Sequence, residues 1–170
     1  MFELEELWMA PEWESLLKQA GLSDIEAVTT REFDWFETPN KRLGGWSGVS
    51  RIELNPEAPE AERLAVFLKI QNNHCYRVIS RGFQRRLTFE REYDAFKGLS
   101  DVAVLPELVL FAKWRKCGDI GSILVTKALD GFVDMEEWQQ AVQADPQAEA
   151  KIRQALVVIA DRTRAMHATG

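Results

Sequence analysis

Two features near the middle of the chain have residue types that bind phosphate. The glycine-rich segment Gly44-Gly45-Trp46-Ser47-Gly48 lies between two predicted strands. Glycine lets a backbone approach a polyanion closely and adopt positive φ, so its amide groups can point at phosphates. Taken alone, the segment is also typical of a hairpin turn. Lys69 is the one cation in an otherwise apolar strand, and a buried ammonium requires an anion within reach.

A third feature is an acid on the apolar face of a helix. Phe89, Tyr93 and Phe96 recur three and four residues apart, which predicts a helix over 87–99 with one apolar face. Glu92 lies on that face and therefore needs a partner, whereas Glu90 points elsewhere. A glycine loop, a strand lysine and a helical glutamate occur in this order in kinases, where the lysine holds the α- and β-phosphates. A structural Lys–Glu pair beside an unrelated turn is the alternative.

The pattern of apolar residues and turn residues predicts an α+β fold. We expect strands over 49–54 and 64–71, and a hairpin whose strands span 108–114 and 122–129. Helical spacing predicts a peripheral helix over 11–20 and two closing helices around 135–142 and 148–167. The basic stretch 77–86 is interpreted as a connection.

Composition narrows the classes of function. The 170 residues are 46% hydrophobic with a net charge of −6, which indicates a globular protein and argues against nucleic-acid binding. The first residues are acidic and the apolar runs are strand-sized, so we expect a cytoplasmic protein. Cys75 and Cys117 lie far apart in the sequence, and the pair His74-Cys75 completes no metal site, so no metal ligand is predicted.

Several segments together resemble the lipopolysaccharide kinases of the WaaP and InaA type. They are Pro39–Val49 around the glycines, Phe67-Leu68-Lys69, Arg91–Phe96, Leu124-Val125-Thr126 and Gly131-Phe132. The resemblance covers residues 30–170, and its most specific part is the glycine segment. It implies a protein-kinase-like N-lobe, with a mostly antiparallel sheet and one C-type helix, followed by a hinge and the first C-lobe helices.

The resemblance implies a role for individual residues of an ATP site. Gly44, Gly45, Ser47 and Gly48 would form the loop over the phosphates, although their spacing departs from the kinase GxGxxG. Lys69 would bind phosphate, and Glu92 would orient it. Thr126 would guard the adenine pocket, while the Lys127 carbonyl and the Leu129 amide would bond the adenine edge. The implied cofactor is ATP, with magnesium in a complete chain.

The same resemblance divides the chain and indicates its activity. We expect an N-terminal helical extension over 1–29, the N-lobe and hinge over 30–129, and C-lobe helices over 130–170 that end before the catalytic loop. No catalytic residue is therefore predicted within the chain. The implied function is ATP-dependent phosphorylation of a sugar hydroxyl of a glycolipid. The alternatives are a non-catalytic kinase-like protein that binds nucleotide or a stress-response partner, and a small-molecule kinase.

Two surfaces are candidates for partners. Arg77, Arg81, Arg85, Arg86 and Arg91 concentrate positive charge in an acidic chain. They form either a solvated connection or a dock for a phosphorylated glycolipid or the anionic inner membrane, since guanidinium groups suit phosphate. The apolar side of the helix over 148–167 is expected to lie uncovered, which predicts self-association there.

Overall fold

The computed structural model describes residues 1–42, 44–79, 82–99, 101, 105–143, 145 and 147–168. They form two units, residues 1–96 with 106–128, and residues 97–105 with 129–170. The strands are β1 Phe2–Met9, β2 Asn40–Arg42, β3 Gly45–Glu53, β4 Ala65–Asn72, β5 Cys75–Val78, β6 Gln84–Leu87, β7 Leu108–Lys116 and β8 Asp119–Lys127. The helices are α1 Glu14–Gln19, α2 Ile25–Thr30, α3 Thr88–Leu99, α4 Met135–Gln143 and α5 Ala148–Ala168, with short 3-10 turns at Pro11–Trp13 and Glu60–Glu62.

The first unit is built on a six-stranded sheet in the order β1-β7-β8-β4-β3-β2. All its neighbouring strands are antiparallel, and β5 and β6 form a separate antiparallel hairpin. The predicted mixed fold with a mostly antiparallel sheet is confirmed. The inner strands β4 and β8 are nearly continuous in apolar residues because both of their faces are covered.

The N-terminal residues complete one face of this sheet. Trp13 and Leu17, together with Val28 of α2, are buried in a cluster with Leu68 and Ile70 of β4. The predicted peripheral position of the first helix is therefore wrong. The predicted helical extension also omitted β1, which pairs with β7 along its length. The acids of β1 hid its strand pattern, and acids are common on edge strands because they oppose further pairing.

The helix α3 covers the opposite face. The Tyr93 ring stacks on Phe111 with centroids 4.0 Å apart and planes 6° apart, and both contact Leu124. Phe89 and Phe96 pack against the same cluster. The helix predicted over 87–99 is confirmed to within one residue, because its apolar spacing matches a face that the sheet buries.

Two segments that were predicted as a turn and as a connection contain strands instead. β3 begins at Gly45, so Ser47 and Gly48 belong to the strand and not to a loop. The basic stretch interpreted as a connection forms the β5–β6 hairpin. The predicted hairpin of β7 and β8 is confirmed, and its turn has positive φ at Cys117 (52°) and Gly118 (91°), as tight hairpin turns require.

The second unit contains the two closing helices, close to their predicted bounds. None of the described residues of α5 is buried, and Leu156, Val157 and Ile159 are among its exposed apolar residues. Among the helices described, none is both long enough and apolar enough to cross a bilayer.

Candidate functional site

An ion pair between Lys69 and Glu92 is the centre of the candidate site. Lys69 lies in β4, between Val49 of β3 and Leu124 of β8. Its ammonium donates to Oε1 of Glu92 in α3, which confirms the predicted pairing. The side chains of Lys69 and Glu92 remain 28% and 33% exposed. The lysine charge is therefore paired within the protein, while its side chain remains partly exposed to solvent.

The aromatic cluster under α3 sets the height of Glu92 above the sheet. Tyr93, the next residue along the helix, is buried against Phe111 and Leu124. Burial raises the pKa of the Tyr93 phenol, and the negative charges of Glu6 and Asp94 raise it further, so this ring stays neutral. The packing of Tyr93 against the sheet holds the adjacent Glu92 carboxylate beside the Lys69 ammonium.

Gln71 anchors the start of α3 to the sheet. It is fully buried, two residues beyond Lys69 and on the same face of β4. In the amide orientation that satisfies its neighbours, its nitrogen donates to the His74 carbonyl at 3.0 Å and the Thr88 hydroxyl at 2.9 Å. Its oxygen accepts from the Ser122 hydroxyl at 2.7 Å and the Phe89 backbone N–H at 2.8 Å. Since the first N–H groups of a helix lack partners within it, Gln71 caps α3.

This role of Gln71 was not predicted from the sequence. The available signal was a second polar residue two positions after Lys69 in an otherwise apolar strand. A buried amide in such a strand needs partners for both its nitrogen and its oxygen, and the start of a helix offers both kinds.

Glu90 points away from Lys69, as predicted. Its Oε1 lies 3.2 Å from Nη2 of Arg86 and 3.3 Å from Nζ of Lys113. Its other oxygen accepts from the Leu87 backbone N–H at 3.3 Å. Glu90 therefore ties the first turn of α3 to β6 and β7, and Glu92 alone of these two acids serves the lysine.

The fold explains why each of the three glycines of this segment is a glycine. Gly44 has φ of 78° and forms the turn between β2 and β3. A Cβ at Gly45 would overlap the backbone of Asn73 and His74. A Cβ at Gly48 would lie 2.5 Å from the Trp35 ring. Close packing thus explains Gly45 and Gly48 without a ligand.

The strand register decides which parts of this segment lie on the lysine face. Val49 is paired with Lys69, so Ser47, two residues away, shares the lysine face, whereas Gly48 faces the other way toward Trp35. Beside the turn lies a shallow pocket of about 390 Å³, lined by Lys41, Arg42, Gly44, Gly45 and Trp46. Two cations and a glycine turn make this the more suitable side of the segment for an anion.

The end of β8 carries the remaining predicted residues. Thr126 is buried and pairs with Phe67, two residues before Lys69, so it lies on the lysine face. The Lys127 backbone N–H donates to the Glu107 carbonyl at 2.9 Å, and its ammonium lies 3.6 Å from the Glu107 carboxylate. Leu129 is half exposed and belongs to the second unit.

The comparison with family models identifies the chain. Residues 26–170 match the model of the lipopolysaccharide kinase (Kdo/WaaP) family. The chain belongs to the lipopolysaccharide kinase family. Membership in a kinase family suggests a kinase-like function. The Lys69–Glu92 pair supplies candidate residues for it.

A curated relative supports this assignment. This lipopolysaccharide kinase family member is 28% identical to Protein InaA of Escherichia coli (strain K12) over 127 residues. The match covers 74% of this chain and 55% of that protein, so the chain spans about half the length of this relative. No solved structure matches the chain.

Proposed function

We propose that this chain supplies the nucleotide-binding half of an ATP-dependent phosphotransferase that phosphorylates a sugar hydroxyl of a glycolipid. The observation that carries the proposal is the Lys69–Glu92 pair, because its two charges are paired while both side chains remain partly exposed. A purely structural ion pair between β4 and α3 would gain no stability from this exposure. A pair that also receives a phosphate needs it.

The topology of the first unit supports this assignment. β2, β3 and β4 follow one another as antiparallel neighbours, α3 then crosses the sheet, and the β7–β8 hairpin returns with β8 beside β4. This arrangement gives Ser47, Lys69 and Thr126 a common face, with Glu92 above it. These features are the expected parts of a kinase-like N-lobe, in the predicted sequence order.

Each of these residues has a chemical role in the proposed site. ATP supplies the phosphoryl group to be transferred. The Lys69 ammonium holds the α- and β-phosphates, and Glu92 keeps that ammonium oriented before and after nucleotide arrives. The backbone N–H groups of the turn at Gly44, beside Lys41 and Arg42, point at the outer phosphates. Gly45 and Ser47, which share the lysine face, complete the phosphate-binding loop that the family resemblance implies, whereas Gly48 faces the other way toward Trp35.

The adenine contacts belong to the same proposal. Thr126 guards the back of the pocket, and the Lys127 carbonyl bonds the adenine edge. The Lys127 carbonyl is directed away from β4, since the neighbouring Ala128 N–H bonds to the Ala65 carbonyl at 2.9 Å. In an antiparallel ladder this pattern means that Val66 and Lys127 do not exchange hydrogen bonds.

The described residues fit phosphate better than they fit magnesium. Lys69 offers an accessible cation, but no three His, Cys, Asp or Glu side chains within the described ranges converge on a common point. The proposed binding mode of this chain therefore uses Lys69 and backbone N–H groups, and no step in it depends on a metal ligand from these residues.

Isothermal titration with ATP, with and without magnesium, tests the proposal. We expect weak binding that Lys69→Met weakens by about tenfold or more, since a charge-assisted hydrogen bond to phosphate is lost. The control is Lys18→Met, because Lys18 is exposed on α1 and far along the chain from the site. Unchanged affinity in Lys69→Met would make the pair structural. Binding strictly dependent on magnesium would reveal a metal ligand not identified above.

A further inference from the structure

The β5–β6 hairpin concentrates positive charge in an acidic protein. From His74 to Phe89 the sequence contains four arginines and no Asp or Glu, although the whole chain has a net charge of −6. The hairpin forms its own two-stranded sheet beside the six-stranded one. Its charge is therefore carried on a separate element, not spread over the main sheet.

Two of these arginines lie directly opposite each other without acidic partners. Arg77 of β5 pairs in register with Arg85 of β6, and both are exposed. Within the described part of the chain, Arg77 has no ion pair, and the Arg85 guanidinium has a hydrogen bond only to the Cys75 thiol, at 3.7 Å. Like charges on directly opposed strand positions repel each other. An external anion would relieve this repulsion.

The other arginines of the predicted cluster differ. Arg86 is bound to Asp94 at 2.9 Å and to Glu90 at 3.2 Å, so its charge is already neutralised. Arg91 lies over the Tyr76 ring, 5.9 Å from its centroid. Arg81 lies outside the described residues. The anion-binding part of the hairpin is therefore Arg77 with Arg85.

Apolar side chains flank the turn of the same hairpin. Ile79 is 77% exposed and Phe83 is 60% exposed, although both are large hydrophobic residues. Phe83 has φ of 62°, which a non-glycine residue rarely adopts, and its N–H donates to the Val78 carbonyl at 3.0 Å. Exposed apolar residues beside unpaired cations are typical of elements that enter a membrane interface.

We propose that this hairpin docks on an anionic lipid bilayer, with Ile79 and Phe83 entering the headgroup boundary and Arg77 and Arg85 binding lipid phosphates. A bilayer presents anions in a plane with an apolar phase directly beneath, which matches cations on the strands and apolar residues beyond them. An acidic peptide offers the charge without the apolar phase. The interaction is weak and reversible, since two cations and two apolar side chains supply it.

Flotation of the 170-residue chain with lipid vesicles tests the proposal. We expect binding to vesicles of phosphatidylcholine with phosphatidylglycerol, and much less to phosphatidylcholine alone. Added salt should weaken it through screening. Arg77→Gln with Arg85→Gln should lower the affinity on the order of tenfold or more, because each cation near such a surface contributes measurably. Ile79→Ser with Phe83→Ser should lower it to a similar extent.

Matched variants separate this surface from general charge or hydrophobicity. The control for charge is Arg63→Gln with Arg153→Gln, and the control for apolar area is Phe132→Ser with Val133→Ser, at residues that are also exposed. Both controls should bind like the unmodified chain. Soluble glycerophosphoglycerol should not displace the protein, since it provides phosphate without an apolar phase.

The outcomes that would overturn the proposal are specific. Equal binding to neutral and anionic vesicles, or no effect of either hairpin variant, excludes docking through this surface. Complete displacement by the soluble headgroup would mean a phosphate site and not a membrane contact. ATP is absent from the vesicle assay. A negative vesicle result therefore does not bear on the nucleotide titration, and a negative titration does not bear on vesicle binding.

Discussion

At the scale of single residues, the exposure of the Lys69–Glu92 pair decides what its removal costs. A fully buried pair broken on one side costs about 3–5 kcal/mol, whereas exposed pairs contribute about 1 kcal/mol or less. With about a third of each side chain exposed, the pair belongs nearer to the second class. The Lys69–Glu92 pair therefore contributes mainly by positioning the ammonium, and only a little to the free energy of unfolding.

Stability measurements on single variants test this placement argument. We expect Lys69→Met and Glu92→Gln to lower the free energy of unfolding by about 1 kcal/mol or less, as measured by urea denaturation. Glu149→Gln is the control, since its pair with Arg153 on α5 is far more exposed and should contribute nothing measurable. Losses of about 3 kcal/mol or more at Lys69 would instead identify a pair retained for folding.

At the scale of elements, the position of α3 depends on its cap. Gln71→Leu would leave the Ser122 hydroxyl and the Phe89 N–H without the Gln71 oxygen that accepts from them. We expect a loss of about 2 kcal/mol or more in unfolding free energy, because unsatisfied buried groups are costly. Hydrogen exchange should accelerate in the first turn of α3 while β7 and β8 change little.

The matched control for this prediction is Gln19→Leu. Gln19 is exposed at the end of α1, so its loss should change neither stability nor exchange in α3. Exchange in the first turn of α3 that stays unchanged in Gln71→Leu would show that the aromatic cluster alone positions the helix, and that the amide is not a cap.

The glycines of β3 allow packing to be separated from ligand binding. Gly48→Ala places a methyl group against the Trp35 ring, and overpacking of this kind costs about 1–3 kcal/mol. We expect lower stability by thermal unfolding and no separate loss of ATP affinity, since Gly48 faces away from Lys69. The control is Gly98→Ala on α3, where nothing lies within 4 Å and alanine favours the helix.

The outcome for Gly48 also bears on the glycine loop. If Gly48→Ala keeps its stability but loses ATP affinity, its backbone contacts phosphate directly and the packing explanation fails. A loss of stability alone would restrict the phosphate-binding part of the segment to the turn at Gly44 and the residues on the lysine face.

Much of the element order was predictable because it depends on local patterns. Apolar spacing identified α3, β4 and the β7–β8 hairpin, and a lone cation with a lone acid on apolar surfaces identified the Lys69–Glu92 pair. The strand character of Phe2–Met9 was missed because its acids interrupt the apolar pattern and its partner β7 is distant in the sequence. The arginine hairpin was missed because its two strands are short and rich in polar residues. The role of Gln71 requires knowing that β4 and the start of α3 meet, which no local pattern reveals.

At the scale of the whole molecule, the exposed apolar residues of α5 bear on assembly. Leu156, Val157 and Ile159 are 56%, 57% and 42% exposed. Surfaces of this kind associate when nothing covers them. We expect the 170-residue chain to self-associate in sedimentation velocity, and Leu156→Lys with Ile159→Lys to shift it toward monomer.

The control for assembly adds the same charge elsewhere on the helix. Gln154→Lys with Thr163→Lys, at two exposed positions, should leave the association unchanged. A chain that sediments as a monomer at all accessible concentrations, with α5 protected from hydrogen exchange, would contradict this prediction.

The contact between Lys69 and the phosphates of ATP is tested most directly by an acyl-phosphate derivative of ATP. The amine of a lysine beside the phosphates attacks the acyl carbonyl, forming an amide on the lysine and releasing ATP. Mass spectrometry should find the acyl group on Lys69, and excess ATP should prevent its transfer. Transfer to Lys18, Lys151 or other exposed lysines away from the site at similar rates, with no protection by ATP at Lys69, would contradict the nucleotide site.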